Sequence, residues 1–349
     1  MEIRQKKRRT KPWCIALLVL LLILLLLLGG VWMFYQSKLN KLNYDDGQQE
    51  IDTTVEMPMD SLDIPDLGEA PEQVSEDLPD DAMIHDEDVM NILLLGTDER
   101  SNSFSTNARA DSIMLMSLNM KKHTIKLVSI ERGIGVPIEG RNDDWITHTF
   151  RYGGAALTLQ TVRDCFNIDV DRYIRINFNI FEQGINAIGG IDINLTQAEL
   201  DYLGEVQRWQ WEHMGKTSPP LHLGVNHVDG DIALQYGRLR EIDSDWKRIQ
   251  RQRNVIQAAL NQAKTMSLSQ INNVIDTFLP MVMTNLTKSE ITDLLLEIPG
   301  FIAEGLQIEQ MTIPTRDTCW NTVGVDGRKM IGVDFAANTK ILNELFYGE

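Results

Sequence analysis

Cysteine is scarce in this chain of 349 residues. Cys14, Cys165 and Cys319 are the only three. They form no CxxC pair and stand beside no His-rich spacing, so a zinc site is not expected. Cys165 falls in a helical pattern and reads as a small buried hydrophobe, and nothing in the spacing supports a bridge from it to Cys319. Positive charge is also short, with 33 Lys and Arg against 50 Asp and Glu and a formal net charge of −17. That balance, with no helix-turn-helix signal and no internal repeat, disfavours a nucleic-acid-binding regulator.

What is present begins with a membrane signal. Arg4, Lys6, Lys7, Arg8, Arg9 and Lys11 form a basic tail over residues 1–12, and an uncharged apolar run follows over 13–35. About 20 such residues cross a bilayer. The run continues through Gly29-Gly30-Val31-Trp32-Met33 without a cleavage site, so it reads as an uncleaved signal anchor, a single transmembrane helix. The positive-inside bias keeps the tail cytoplasmic and places everything after Gln36 outside the cell membrane. Residues 36–88 are rich in Asp, Glu, Pro and Ser and read as an acidic, disordered, solvated linker. Residues 89–349 are long enough for one outer domain. Asn194-Leu195-Thr196 and Asn285-Leu286-Thr287 match the glycosylation sequon, a pattern common by chance.

Within that domain, Met90 to Leu95 is a short continuous apolar run closed by Gly96, which predicts a buried strand. Ser112 to Leu118 and Thr124 to Ile130 are two more, joined by a turn at Asn119-Met120-Lys121-Lys122-His123. Helical spacing follows over Gly154 to Phe166, alternation over Tyr173 to Phe178, a helix over Ile180 to Ile188 and a strand over Ile191 to Leu195. Asp231 to Tyr236 predicts a short helix and Asp245 to Ala263 a longer one. The pattern is α/β, a mixed central β-sheet covered by helices on both faces.

If the second and third runs pair as a hairpin, Asp111 and Arg132 become neighbours at one sheet edge. An antiparallel first strand would bring Asp98 and Arg100 to the same edge, with Arg109 close by. Ligand sites in open α/β sheets gather beyond strand ends. Two carboxylates among guanidiniums suit a divalent cation and a phosphate, because Mg2+ takes a few carboxylate oxygens and phosphate oxygens. The densest basic cluster lies further on, in Tyr236-Gly237-Arg238-Leu239-Arg240 and in Arg248, Arg251 and Gln252. Guanidinium forks match phosphate bidentately. The alternative is a solvated helix whose arginines pair with Glu241, Asp243 and Asp245.

Taken in order, Asn91 to Arg100, Arg109-Ala110-Asp111, Ser129-Ile130-Glu131-Arg132, Tyr152-Gly153-Gly154, Gly189-Gly190-Ile191, Tyr236 to Arg240, and Asp245 with Arg248, Arg251 and Gln252 resemble the LytR-CpsA-Psr family over about residues 90–265. The resemblance implies a bacterial envelope phosphotransferase. Such an enzyme moves a teichoic acid or capsule-like glycopolymer from a polyprenyl pyrophosphate carrier to peptidoglycan, with Mg2+ as cofactor. It implies that Asp98 and Asp111 hold the metal, and that Arg132, Arg238, Arg240, Arg248 and Gln252 grip the pyrophosphate, with Arg100, Arg109 and Arg251 as supporting charges. The chain departs from the family pattern at three positions. Gly133 stands where an Asp is usual, Trp145 where a Lys is usual and Glu131 where a proline is usual, while His148 is retained. A polyprenyl-phosphate-binding envelope scaffold with weak or no turnover is the alternative that Gly133 and Trp145 motivate. On that view binding outlasts turnover, and Gly133→Asp, alone or with Trp145→Lys, restores rate.

Overall fold

The computed structural model describes residues 39–40, 42–45, 49–59, 62, 64–72, 74, 83–99, 104–105, 108–306 and 308–348. The expected anchor over 13–35, and Arg100, lie outside the described residues. Among the described residues no helix is long and apolar enough to cross a membrane.

The strands run in chain order as β1 (Asn43–Tyr44), β2 (Val89–Thr97), β3 (Ala110–Asn119), β4 (Thr124–Ile130), β5 (Gly135–Val136), β6 (Asp144–Trp145), β7 (Arg172–Asn177), β8 (Ile191–Leu195), β9 (Gly224–Val228), β10 (Met283–Thr284), β11 (Ile308–Ile313), β12 (Cys319–Val323) and β13 (Lys329–Val333). The helices are α1 (Ile146–Phe166), α2 (Phe178–Ala187), α3 (Gln197–Met214), α4 (Gly230–Arg238), α5 (Asp245–Lys264), α6 (Leu268–Phe278), α7 (Lys288–Ala303) and α8 (Phe335–Tyr347). Seven strands form one sheet in the order β1-β10-β7-β2-β3-β4-β11. It is mixed: β2 is antiparallel to β3 and parallel to β7, and β11 is parallel to β4.

Leu93 and Leu95 of β2, Ile113 and Leu115 of β3, and Val128 and Ile130 of β4 are buried with Phe150, Leu157, Val162 and Phe166 of α1 and Leu342 and Phe346 of α8. A second core gathers Ile191, Ile193 and Leu195 on one side of β8 with Leu203, Val228, Ile232, Tyr236 and Val255. Asp192 and Asn194, between the apolar residues of β8, are exposed, as the two-residue period requires. The two cysteines of the outer domain are buried and free.

The acidic stretch expected to be a solvated linker behaves differently over its described residues. Ile51, Val55, Met57, Ile64 and Leu67 pack against the main core. Asp52 N donates to Tyr152 O at 2.8 Å, Leu67 N to Asn321 Oδ1 at 2.6 Å and Arg328 Nη1 to Pro58 O at 3.2 Å. A handful of spaced apolar anchors is enough to lay the segment over the domain as a strap, although it has no helical or strand period. The approach is close at Gly154, where φ is +64° and an added Cβ would lie 1.8 Å from Gln49 Oε1. That glycine also interrupts helical geometry inside α1, which explains why the spacing predicts a start at Gly154 while the helix begins at Ile146.

Candidate phosphate-binding site

Strand register decides what meets at the sheet edge. Ile113 of β3 lies opposite Ile130 of β4, so Asp111 and Arg132, two residues beyond each, come together. Arg132 Nη1 donates to Asp111 Oδ1 at 2.8 Å. On the other side of β3, Thr97 pairs with Ala110 across a bulge, bringing Asp98 to the same edge. Asp98 Oδ1 accepts from Arg109 N at 3.1 Å, and Arg109 Nε stands 3.8 Å from Asp98 Oδ2.

α5 completes the cluster from its N-terminus. Asp245, in the first helical turn, lies 3.2 Å from Arg132 Nη2 through Oδ1 and accepts from Arg248 Nη2 at 2.9 Å through Oδ2. A carboxylate at a helix N-terminus is favoured by the backbone dipole. Arg248 Nη2 also reaches Asp111 O at 3.4 Å. Burial alone would raise the Asp245 carboxyl, but the Arg248 and Arg132 guanidiniums hold it below its ordinary value. Burial likewise pulls the Arg248 guanidinium down, with Asp245 opposing. Arg132 and Arg248 are 6% and 5% exposed, and the Nε of each is buried without a hydrogen-bond partner. Orphaned guanidinium donors beside two partly exposed carboxylates form an arrangement that suits an oxyanion.

The other predicted residues divide sharply. Gln252 Oε1 accepts from Ser112 Oγ at 3.3 Å, next to Asp111. Arg238, at the end of α4, lies over the Phe178 ring with its guanidinium carbon 4.4 Å from the centroid, and Arg240 is exposed. Arg251 is occupied by the protein itself. Its Nε donates to Glu199 Oε1 at 2.6 Å, Nη1 to Leu239 O at 2.9 Å and Asp243 Oδ1 at 3.0 Å, and Nη2 to Asp243 Oδ2. It thus follows the ion-pairing alternative in its partners, though buried at 4% rather than solvated. His148 is fully buried on Asp144 at 2.9 Å, which also accepts from Tyr152 Oη at 2.6 Å.

Three features escaped sequence reasoning. Glu131, adjacent to Arg132 in the chain, is buried, and its Oε2 has no hydrogen-bond partner. Arg175, on the buried side of β7 with Tyr173 and Asn177, donates to Glu99 Oε1 at 2.5 Å and Ser105 O at 2.7 Å and lies over Phe104 and Phe150. An arginine in phase with Tyr173 was the available signal. Arg328, just before β13, pairs with Asp144 at 3.1 Å and covers the Trp145 ring at 4.8 Å, so a cation stands beside position 145 although no Lys occupies it. Gly133 faces apolar groups: an added Cβ would lie 3.0 Å from Leu62, 3.8 Å from Ile331 and 3.9 Å from Ile64.

Among the described residues no group of three or more His, Cys, Asp or Glu is placed to hold a metal. Asp98 and Asp111 are two carboxylates at one edge, a donor set that fits Mg2+ when phosphate oxygens complete it.

The LytR_cpsA_psr family model matches residues 36–346. A teichoic acid transferase named TagU from Oceanobacillus iheyensis is 34% identical over 224 residues, which are 62% of this chain and 64% of that protein. The corresponding Bacillus subtilis transferase TagT is 34% identical over 203 residues, 57% of this chain and 61% of that protein. The matched stretches thus span less than two thirds of these relatives' length. Among solved structures, TagT bound to LIIa-WTA is similar with a TM-score of 0.57 and 28% identity, covering 74% of this chain and 91% of that one. TagT with bound octaprenyl pyrophosphate lipid gives 0.54 and 26%, covering 74% and 90%. With a family match across nearly the whole chain and a fold shared with these transferases, the protein belongs to the LytR-CpsA-Psr family.

Proposed function

We propose that this protein transfers an anionic glycopolymer, of the teichoic acid or capsule-like class, from a polyprenyl pyrophosphate carrier to peptidoglycan outside the cell membrane. The observation that carries the reading is the pair of buried guanidiniums, Arg132 and Arg248, each with an unpartnered Nε at the edge that holds Asp98 and Asp111. The names of the relatives, peptidoglycan teichoic acid transferases, and the octaprenyl pyrophosphate bound by TagT support it.

The reaction class demands little covalent chemistry from a protein. A sugar hydroxyl of peptidoglycan attacks the phosphorus next to the polymer, and the bond to the departing polyprenyl phosphate breaks. Catalysis then rests on positioning and on neutralising oxygens. Arg132 and Arg248, already oriented by Asp111 and Asp245, face a dianion without reorganisation, and the family resemblance adds Arg238 and Gln252 as further donors. Mg2+ would be held by Asp98 and Asp111 and would neutralise pyrophosphate oxygens when bound.

The test is transfer of a lipid-linked wall teichoic acid analogue to a peptidoglycan oligomer by the full-length protein in detergent. Wild type should form polymer-linked peptidoglycan with release of polyprenyl phosphate, and Arg248→Ala should not. Absence of both binding and transfer in folded wild type would overturn the reading.

A further inference from the structure

A cavity of about 450 Å3 lies where the Gly189-Gly190 turn, α3, the loop over 215–223 and β9 meet, and none of the residues assigned to the phosphate lines it. Side-chain hydrogen bonds hold its walls together. Gln207 Nε2 donates to Pro219 O at 3.0 Å, tying α3 to the loop. Asn226 of β9 accepts from His222 N at 2.9 Å and donates to His222 O at 2.7 Å. On the other side His227 Nε2 meets Gly189 O at 2.9 Å, and Asn186 Oδ1 accepts from Gly230 N at 2.8 Å. The turn closes on β9 as only glycine permits: at Gly190 φ is +92°, and an added Cβ would lie 2.7 Å from His227 Nε2. The cavity is therefore built before a ligand arrives, which lowers the ordering cost of binding.

Its chemistry differs from that of the arginine edge. The wall bonds use one end of each polar side chain, so Asn186 Nδ2, Gln207 Oε1 and His222 Nε2 have no partner among the described residues. These are donors and acceptors on planar groups. Between them Pro219, Pro220, Leu221 and Ile232 present apolar surface. Trp211 stands one turn on from Gln207 along the same face of α3 and is 61% exposed. No Lys or Arg lines the cavity, and its acidic residue, Asp229, caps α4 by accepting from Ile232 N at 3.0 Å. A phosphate-rich chain would find no strong cation here and one carboxylate against it. A pyranose fits instead, because its hydroxyl and acetamido edges need paired donors and acceptors while its C–H faces lie on apolar and aromatic surface.

We infer that this cavity, with Trp211 at its rim, is a saccharide subsite that holds the glycan strand of the peptidoglycan acceptor. The inference rests on the transfer reading above, whose two polymers it separates: the phosphate-bearing donor goes to the arginines, and the glycan whose backbone carries no phosphate goes to the cavity. α4 joins the two places. Ile232 lines the cavity and Arg238, which the family resemblance assigns to the pyrophosphate, ends the same helix six residues later. At 1.5 Å per residue that separation is about 9 Å, the reach of a short oligosaccharide. A strand held at the cavity continues along α4 toward the arginine edge and brings a sugar hydroxyl there.

The experiment measures equilibrium binding of three probes to full-length protein in detergent: a soluble peptidoglycan tetrasaccharide, a lipid-free teichoic acid chain and farnesyl pyrophosphate. Wild type is compared with Trp211→Ala and His222→Ala, two exposed side chains whose removal leaves the core untouched. Each variant should bind the tetrasaccharide about tenfold more weakly, the loss expected when a contact residue of a binding site is truncated. Affinity for farnesyl pyrophosphate should stay at the wild-type value in both. Tetrasaccharide affinity unchanged in both variants overturns the inference. So does a loss confined to the teichoic acid chain, which would give the cavity to the donor, or an equal loss for farnesyl pyrophosphate, which would make it part of the phosphate site. Failure of wild type to bind farnesyl pyrophosphate, with tetrasaccharide binding intact and sensitive to Trp211→Ala, sinks the transfer reading and leaves the saccharide site standing.

Discussion

At the scale of single residues, arginines close in sequence have opposite tasks, and their partners tell them apart. Arg251 ties α3 to α5 through Glu199 and Asp243. Glu199 also caps α3 with its second oxygen, accepting from Thr196 N at 3.0 Å. Removing Arg251 leaves the buried Glu199 carboxylate without its cation, so Arg251→Ala should cost about 3–5 kcal/mol of stability. Arg238 lies over Phe178 at a helix end and is half-buried. Arg238→Lys should leave the melting temperature nearly unchanged and weaken binding of a lipid pyrophosphate by roughly 1–3 kcal/mol, because one ammonium cannot reproduce a bidentate fork. Thermal denaturation and equilibrium binding on the two variants give the comparison. Equal melting temperatures would mean that Arg251 has no structural role.

Gly133 is the other residue whose meaning changes with its surroundings. From sequence, an Asp there was expected to restore rate. In the structure the nearest groups are Leu62, Ile331 and Ile64, and the Gly133 carbonyl is already bound by Ile331 N at 2.9 Å. An Asp side chain would enter an apolar, filled space. Gly133→Asp should destabilise the protein by about 1–3 kcal/mol through overpacking and carboxyl burial, without increasing transfer. Trp145→Lys fares no better, since Trp145 is 2% exposed and beneath Arg328, which would repel a second cation. Single-turnover transfer beside a melting curve checks this, and a faster Gly133→Asp would restore the expectation drawn from sequence.

At the scale of elements, the hairpin β8–β9 is fastened to the Gly189-Gly190 turn by one histidine. His227 Nδ1 meets Asp192 Oδ1 at 2.7 Å and Nε2 meets Gly189 O at 2.9 Å. Both partners are acceptors, so the arrangement needs both ring nitrogens protonated. The Asp192 hydrogen bond, then the Gly189 carbonyl, raise the His227 titration above its ordinary value. A folded-state value raised in this way contributes stability in full below the unfolded value and loses it as pH rises through the folded one. The hairpin amides should therefore exchange faster, beyond the intrinsic pH effect, as pH climbs through that raised folded-state value. His227→Ala should abolish that extra dependence, measured by hydrogen exchange. A wild-type His227 titrating below the ordinary imidazole value would refute the latch.

The elements also show where sequence reasoning reached and where it stopped. Continuous apolar runs identified β2, β3 and β4, and the short turn between the last two made their pairing local. That is why the Asp111 and Arg132 contact was legible without coordinates. The strap was not legible, because Ile51, Val55, Ile64 and Leu67 are dispersed among Asp, Glu and Pro with no period, and their burial is decided by distant residues such as Tyr152, Asn321 and Arg328. Glu131 was seen only as a departure from a family pattern, and the pairing of its neighbour Arg132 with Asp245 spans more than a hundred residues. Long-range pairing of buried charges leaves no periodic trace in a sequence.

At the scale of the whole molecule, a chain with a formal net charge of −17 is proposed to bind a polyanion. The guanidiniums proposed to meet the phosphate, Arg132 and Arg248, are largely neutralised by Asp111 and Asp245, so they add little to the long-range field. Attraction is then confined to contact distance, while the net negative charge of the chain opposes an incoming anion. Salt separates the two ranges, because the Debye length falls from about 30 Å at 0.01 M to about 8 Å at 0.15 M. Long-range repulsion should be screened away over that interval, whereas the buried pairs are screened much less. The association rate of farnesyl pyrophosphate with the full-length protein should therefore rise with added monovalent salt, the reverse of the behaviour of a protein that steers anions with a basic face. Stopped-flow measurement at constant pH and constant Mg2+ provides the number. An association rate that falls with salt would locate an attractive field of longer reach around the arginine cluster, outweighing the net charge of the chain.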